Sequence, residues 1–226
     1  MHPQIPLPLQ LHDDYNFDNF IAGNNSLILR SLQTLDDTFI FLWGDAGTGK
    51  THLLQAACQH ASTLNKTTSY LPLQDLLDFS PNILDGMESV NLICIDDIDA
   101  INGNATWEEG IFNLFNNLKQ QGGQLIVSSK TSPQYLPLAL SDLKSRLCSC
   151  LPLNIYPLDN ESTIKAMQHR AKSLGLVLNS DVAEFILSRF PRDLPTLWRL
   201  LQRLNHASLA AQRKLTIPFV KLTLLN

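Results

Sequence analysis

An apolar run, Thr38-Phe39-Ile40-Phe41-Leu42-Trp43, passes without a break into Gly44-Asp45-Ala46-Gly47-Thr48-Gly49-Lys50-Thr51 and then into the helical pattern His52-Leu53-Leu54-Gln55-Ala56-Ala57. Strand, glycine-rich loop and helix in this order leave the chain little freedom: the strand must end at the loop, and the helix must pack back on the strand. The loop keeps the spacing Gly, four residues, Gly, Lys, Thr. Glycines let successive backbone N–H groups curl around phosphate oxygens, and the helix start that follows favours an anion. The residues from Gly44 through Thr51, with His52 next along, are therefore read as nucleotide-binding. Lys50 would reach the terminal phosphates, and Thr51 would hold Mg²⁺.

The rest of the chain supplies the partners such a unit needs. Residues 26–35 form an amphipathic segment ahead of the loop strand, residues 67–73 read as a second strand, and 75–79 as a short helix. Val90-Asn91-Leu92-Ile93-Cys94-Ile95 is apolar, holds β-branched residues and closes on Asp96 and Asp97, as a buried central strand does. Residues 107–121 are helical in period until Gly122-Gly123 breaks the pattern, and 124–129 form a further buried strand. Strands alternating with helices predict an α/β fold with a parallel sheet covered on both faces. After Pro152 and Pro157 the β signals fade. Helices are expected over 160–174, 180–190, 194–211 and 217–225, with Ser180 and Asp181 capping the second. Pro3, Pro6 and Pro8 deny the first residues both helix and central strand. The expected domains are an extended arm over 1–16, an α/β nucleotide-binding domain over 17–157 and a helical domain over 158–226.

Ligands of open α/β sheets gather outside the carboxyl ends of the strands, which puts Asp96 and Asp97 near the loop. Asp96 is read as binding Mg²⁺ through water, and Asp97 as orienting the water that attacks a phosphoryl group. A simple cap for the turn Asp97-Ile98-Asp99 stays open for Asp97.

Composition excludes several other classes. Residues 1–158 hold seven Lys/Arg against sixteen Asp/Glu, a balance of −9, and residues 159–226 hold ten against five, or +5. An acidic body argues against broad contact with a phosphate backbone, while unlike surfaces permit head-to-tail association. The charged fraction of 17% is below the usual share of about 25%, which suggests that partners cover some surface. No apolar stretch approaches the roughly 20 residues that cross a bilayer, and the start lacks the layout of a secretion signal, so no membrane role and a cytoplasmic location are expected. Cys58, Cys94, Cys148 and Cys150 are irregularly spaced with no His placed to complete a zinc set, so reduced structural thiols are expected.

Two cations stand out downstream: Arg146 in Leu143-Lys144-Ser145-Arg146-Leu147, and Arg192 before Asp193-Leu194-Pro195-Thr196-Leu197-Trp198. Each alone reads as a solvated surface charge. Together with the glycine-rich loop and Leu92-Ile93-Cys94-Ile95-Asp96-Asp97, they stand in the order and spacing of the AAA+ ATPase module of the bacterial replication initiator DnaA, and the chain resembles that family from Phe17 onward. The resemblance implies an AAA+ P-loop domain followed by a small all-helical lid, with ADP or ATP and Mg²⁺ as ligands. Neither an amino-terminal oligomerisation and helicase-recruiting domain nor a carboxyl-terminal helix-turn-helix is expected. That pattern is similar to the regulatory branch of the family, which inactivates DnaA, and the tail Ala211-Gln212-Arg213-Lys214-Leu215-Thr216-Ile217-Pro218-Phe219-Val220-Lys221 is similar to that branch's carboxyl end.

Further roles follow from the resemblance alone. Gln4-Ile5-Pro6-Leu7-Pro8-Leu9 looks like the peptide that plugs proteins into the DNA polymerase III sliding clamp, the beta subunit. Gln4 would bond at the pocket rim and Leu7 and Leu9 would fill apolar subsites, with prolines lowering the ordering cost. Arg146 resembles an arginine finger donated in trans, a device able to add ~10³–10⁵ in rate, and Arg192 resembles the sensor II arginine of the lid. The implied function is negative regulation of replication initiation: the protein binds the DNA-loaded clamp, meets DNA only through it, and stimulates ATP hydrolysis by DnaA. A homo-oligomer stays open. One position departs from the pattern, since Leu125-Ile126-Val127-Ser128-Ser129-Lys130 ends the sensor I strand on a lysine where relatives place Asp or Asn. Lysine accepts no hydrogen bond from water, so the chain's own hydrolysis is expected to be weak or absent unless Ser129 substitutes. The competing readings are a helicase-loader-like ATPase and a clamp-tethered adaptor with no catalytic part.

Overall fold

The computed structural model describes residues 15–36 and 39–225. Gln4, Leu7 and Leu9 lie outside the described residues. Five strands, β1 (Phe39–Trp43), β2 (Thr68–Pro72), β3 (Leu92–Asp96), β4 (Gln124–Ser129) and β5 (Leu151–Asn154), pair in parallel in the order β2-β3-β4-β1-β5. Nine α-helices are seen among the described residues: α1 (Ser26–Thr34), α2 (Lys50–Thr63), α3 (Leu73–Leu76), α4 (Ala105–Gln121), α5 (Ser141–Cys148), α6 (Asn160–Ser173), α7 (Ser180–Arg189), α8 (Leu194–Ala211) and α9 (Ile217–Leu224).

The first of two compact bodies comprises Leu27–Asp45 and Gly49–Ile155, with the short segment ending at Asp18. Every residue of β3 is buried, and all of β4 but its first, which is the signature of a sheet covered on both faces. Because side chains alternate along a strand, Phe41, Ile93, Ile95, Leu125 and Val127 meet Trp107, Ile111, Leu114, Phe115 and Leu118 of α4 in one core. Their neighbours Ile40, Leu42, Leu92, Cys94 and Ile126 are equally buried and serve the other face, where α2 packs on β2, β3 and β4. Each large apolar side chain enclosed in this way contributes about 1.5–3 kcal/mol.

Glu108, in the first turn of α4, is fully buried, and its carboxylate accepts the N–H groups of Gly103 at 3.0 Å, Ala139 at 3.2 Å and Leu140 at 2.6 Å. Leu140 is the residue that caps α5, so the charge is balanced by backbone dipoles and pins the entry of that helix.

The second body comprises Asn19–Ser26, Ala46–Thr48 and Tyr156–Asn226. Helices α6 to α9 enclose their own core of Met167, Ala183, Ile186, Leu197, Leu201, Leu204 and Val220. Their starts are set by local chemistry: Asp159 accepts from the Ser162 N–H, Asp193 from Thr196, and Thr216 from Phe219. No helix among the described residues is long and apolar enough to cross a membrane.

Three sequence expectations need correction. The sequence reading places no strand after 124–129, yet Leu151–Asn154 is one, and Pro152 is tolerated because β5 is an edge strand that among the described residues pairs with β1 alone. Residue 179, not Ser180 or Asp181, precedes α7, and Asn179 makes no side-chain cap bond there. The short helix after β2 starts at Leu73 rather than at Asp75.

Candidate nucleotide-binding site

The glycine-rich loop leaves the carboxyl end of β1, and α2 begins at Lys50. Gly44 has φ +157°, and a Cβ built on it would stand 2.4 Å from the Ile155 carbonyl oxygen, so no other residue fits without displacing backbone. Gly49, directly before α2, has φ +97°, a conformation that glycine adopts without steric cost. The Lys50 ammonium folds back over its own loop and donates to the carbonyls of Gly44 at 2.7 Å and Asp45 at 2.9 Å. Burial pushes its pKa down, opposed first by the charge of Asp97 and then by Asp96 and Asp99.

Asp96 closes β3, separated from β1 by β4, and is almost fully buried at 4% exposure. Four elements meet on its carboxylate. Oδ2 accepts from the Thr51 hydroxyl on α2 at 2.7 Å and from the Tyr70 hydroxyl on β2 at 2.8 Å, and Oδ1 accepts from the Ser128 hydroxyl on β4. The sheet thus brings Thr51 and Asp96 together across 45 residues of sequence. A hydroxyl and a carboxylate are hard oxygen donors of the kind Mg²⁺ takes when phosphate and water complete its shell. No cluster of three or more His, Cys, Asp or Glu able to hold a metal exists among the described residues, so the donors present fit a shared nucleotide–magnesium site rather than an all-protein cage.

Asp97 follows in a left-handed conformation, φ 55° and ψ 59°, at the start of a 3-10 turn over Ile98–Ile101. Its side chain makes no cap bond and instead accepts from Gln74 Nε2 at 2.9 Å. A non-glycine residue in this region is strained and is held there by its surroundings. Ser128 supplies part of that hold by accepting the Asp97 N–H at 2.9 Å. Burial, and next the charge of Asp96, push the Asp97 pKa up, with Lys130 and Lys50 opposing.

The His52 ring stacks on Tyr15, with centroids 4.7 Å apart, and its Nε2 lies 2.8 Å from the Asn16 carbonyl. Its backbone N–H belongs to the first turn of α2. Thr48 is buried, and Gly47, in the segment grouped with the second body, takes φ +78° with Pro195 close against it. Ser129 donates to Asp99 at 3.0 Å and accepts the Thr131 N–H, while the Lys130 N–H donates to Asp99 at 2.9 Å. The Ser129 proton is thereby committed to Asp99. Arg146 sits on the exposed side of α5 without a side-chain partner among the described residues. Arg192 precedes α8 in the second body and donates to Asn160 Oδ1 at 3.0 Å. Sequence reasoning missed Tyr70, Ser128 and Gln74. No spacing rule points to them, because they lie 20 or more residues from the carboxylates they bind.

A phosphate-binding loop at the end of β1, acids at the end of β3 and a strand order in which β3 and β4 separate β2 from β1 define an AAA+ P-loop protein, followed here by a helical lid. Residues 11–154 match the model of the bacterial DnaA ATPase domain, and residues 159–224 match the Hda lid domain. The chain belongs to the DnaA ATPase family, as a DnaA- and Hda-like AAA+ protein.

Solved structures share the fold. Domain III of the replication initiation protein DnaA from Thermotoga maritima is 22% identical over 96% of this chain and 98% of its own, with a TM-score of 0.85. AMPPCP-bound DnaA from Aquifex aeolicus is 26% identical over 88% of this chain and 67% of its own, with a TM-score of 0.73. The Thermotoga maritima RuvB Holliday junction branch migration motor shares the fold more distantly, at 18% identity over 88% and 66% and a TM-score of 0.66.

Proposed function

We propose that this protein is a negative regulator of replication initiation that carries an adenine nucleotide and completes the ATP site of DnaA. Gly44 to Thr51 and the His52 N–H would hold ADP or ATP. Thr51 directly, and Asp96 through water, would hold Mg²⁺, and Arg192 would report on the nucleotide from the lid. The match to the Hda lid and to the DnaA ATPase domain supports this reading, as does the AMPPCP bound by a related DnaA.

The observation that carries the catalytic part is Arg146: an exposed guanidinium in the last turn of α5, with no carboxylate or carbonyl engaging it among the described residues. An unpaired arginine on a surface helix is available to a neighbouring triphosphate, where it stabilises charge developing in the transition state. Gln4, Leu7 and Leu9 would tether the protein to the sliding clamp on DNA, placing Arg146 where DnaA meets replicated DNA in the cytoplasm. Hydrolysis then leaves the initiator in its ADP form.

The test is ATP hydrolysis by purified DnaA in the presence of clamp, DNA and this protein. Arg146→Ala should lose the stimulation while nucleotide and clamp binding persist. Undiminished stimulation would reject the finger role and favour a tethering adaptor. A second reading, a self-sufficient ATPase like a helicase loader, draws on the close grouping of Lys50, Thr51, Asp96 and Asp97. Hydrolysis by the isolated protein, enhanced by single-stranded DNA, would favour it.

A further inference from the structure

The geometry around Asp96 involves more of the chain than Thr51. A carboxylate that binds a metal through water must keep its plane fixed, and partners beyond the metal's own ligands do the fixing. Here Oδ1 is held by Ser128 from β4, and Oδ2 by Thr51 and Tyr70. The Thr51 hydroxyl could offer a lone pair to a cation while its proton stays on Oδ2, whereas the Tyr70 hydroxyl, which comes from β2, would act on the carboxylate alone.

Tyr70 is well built for that task. It sits on the edge strand β2 in register with Cys94, two residues before Asp96 on the same face of β3. Gln55 lies one helical turn after Thr51 on α2 and is buried at 3% exposure. The single phenol proton of Tyr70 is donated to Asp96 Oδ2 at 2.8 Å.

We propose that Tyr70 is a positioning residue for magnesium: its hydroxyl holds Asp96 Oδ2 in the orientation that binds the metal's water, and so sets how strongly Mg²⁺ tightens nucleotide binding. The inference rests on the reading of Thr51 and Asp96 as the magnesium-binding pair.

The experiment compares ADP binding to the full-length wild type and Tyr70→Phe by calorimetry, first in EDTA and then across a Mg²⁺ titration. Phenylalanine keeps the ring and removes only the hydroxyl. The expected result is equal ADP affinity in EDTA, with the Mg²⁺ concentration that gives half of the tightening raised about tenfold in the variant, as for other removed partners of metal ligands. An unchanged Mg²⁺ midpoint would overturn the role of Tyr70 while leaving the Thr51–Asp96 site in place. An equal loss of affinity with and without Mg²⁺ would make Tyr70 a packing residue and overturn it too. A wild type whose ADP affinity does not respond to Mg²⁺ would overturn both the site and the inference.

Discussion

Replacing Glu108 by glutamine removes a charge and half of the acceptor capacity from a site with no exposure to water. The carboxylate holds three backbone N–H groups, two on Oε1 and the shortest, from Leu140 at 2.6 Å, on Oε2. Hydrogen bonds to a charged group contribute about 1.5–3 kcal/mol each, and neutral ones about half of that. With its oxygen on the Oε1 side, the amide keeps the Gly103 and Ala139 bonds at neutral strength but turns an NH₂ toward the Leu140 N–H, leaving that donor unsatisfied. Relief of burying a charge offsets part of the loss, so the net expectation is a destabilisation of roughly 2–4 kcal/mol. In a chain of this size that corresponds to a fall of roughly 4–16 °C in melting temperature. Glu108→Ala, which strands all three donors, should lose more. Urea unfolding followed by tryptophan emission is a suitable assay, since Trp107 is the neighbouring residue and is buried in the same core. Unfolding of the α/β body should shift while the lid keeps its own transition. A Glu108→Gln variant within about 0.5 kcal/mol of wild type would refute the premise that these three bonds outweigh the desolvation of the charge.

Asp97→Asn should raise stability at neutral pH. The Asp97 pKa is raised in the folded protein, so the ionised group opposes folding above its folded pKa, and the advantage of asparagine should vanish as pH falls into the carboxylate range. Asparagine also tolerates the left-handed backbone at this position, so a flat difference between the two proteins from pH 3 to 7 in urea titrations would contradict the sign. Gly44→Ala should lose roughly 2–4 kcal/mol, because its Cβ would overlap the Ile155 carbonyl and neither group can move without shifting the sheet edge. Nucleotide binding measured by calorimetry should fall with it. Asp193→Ala should destabilise the lid by about 1 kcal/mol through loss of the α8 cap. The Thr196 side chain and backbone bonds hold the Asp193 carboxyl below its usual range, so this stability is present above about pH 4 and is lost as pH falls through the folded pKa. Asp193→Asn should keep the cap without the pH dependence, which circular dichroism melts at pH 3 and pH 7 can separate.

Much of the phosphate-binding unit could be read from sequence because its determinants are contiguous. Eight adjacent residues specify a turn that only glycines allow at Gly44 and Gly49, followed by a helix start. The strand over 124–129 was legible to the residue because Gly122 and Gly123 end α4 in front of it and its apolar run has no polar interruption. The edge strand β5 was not, since its four residues include a proline that only the absence of a second neighbour makes acceptable.

Asp96 was recognisable from its place at the end of a buried strand, but the side chains that orient it were not. Thr51, Tyr70 and Ser128 come from α2, β2 and β4 and converge only once the sheet has its order. Glu108 looks like any surface residue of an amphipathic helix, and only the path of the chain through Ala139 and Leu140 makes it a buried anchor. Local backbone demands and hydrophobic period act over a few residues and are written in the sequence. Hydrogen bonds between distant side chains depend on strand order and register, which the tertiary structure alone decides.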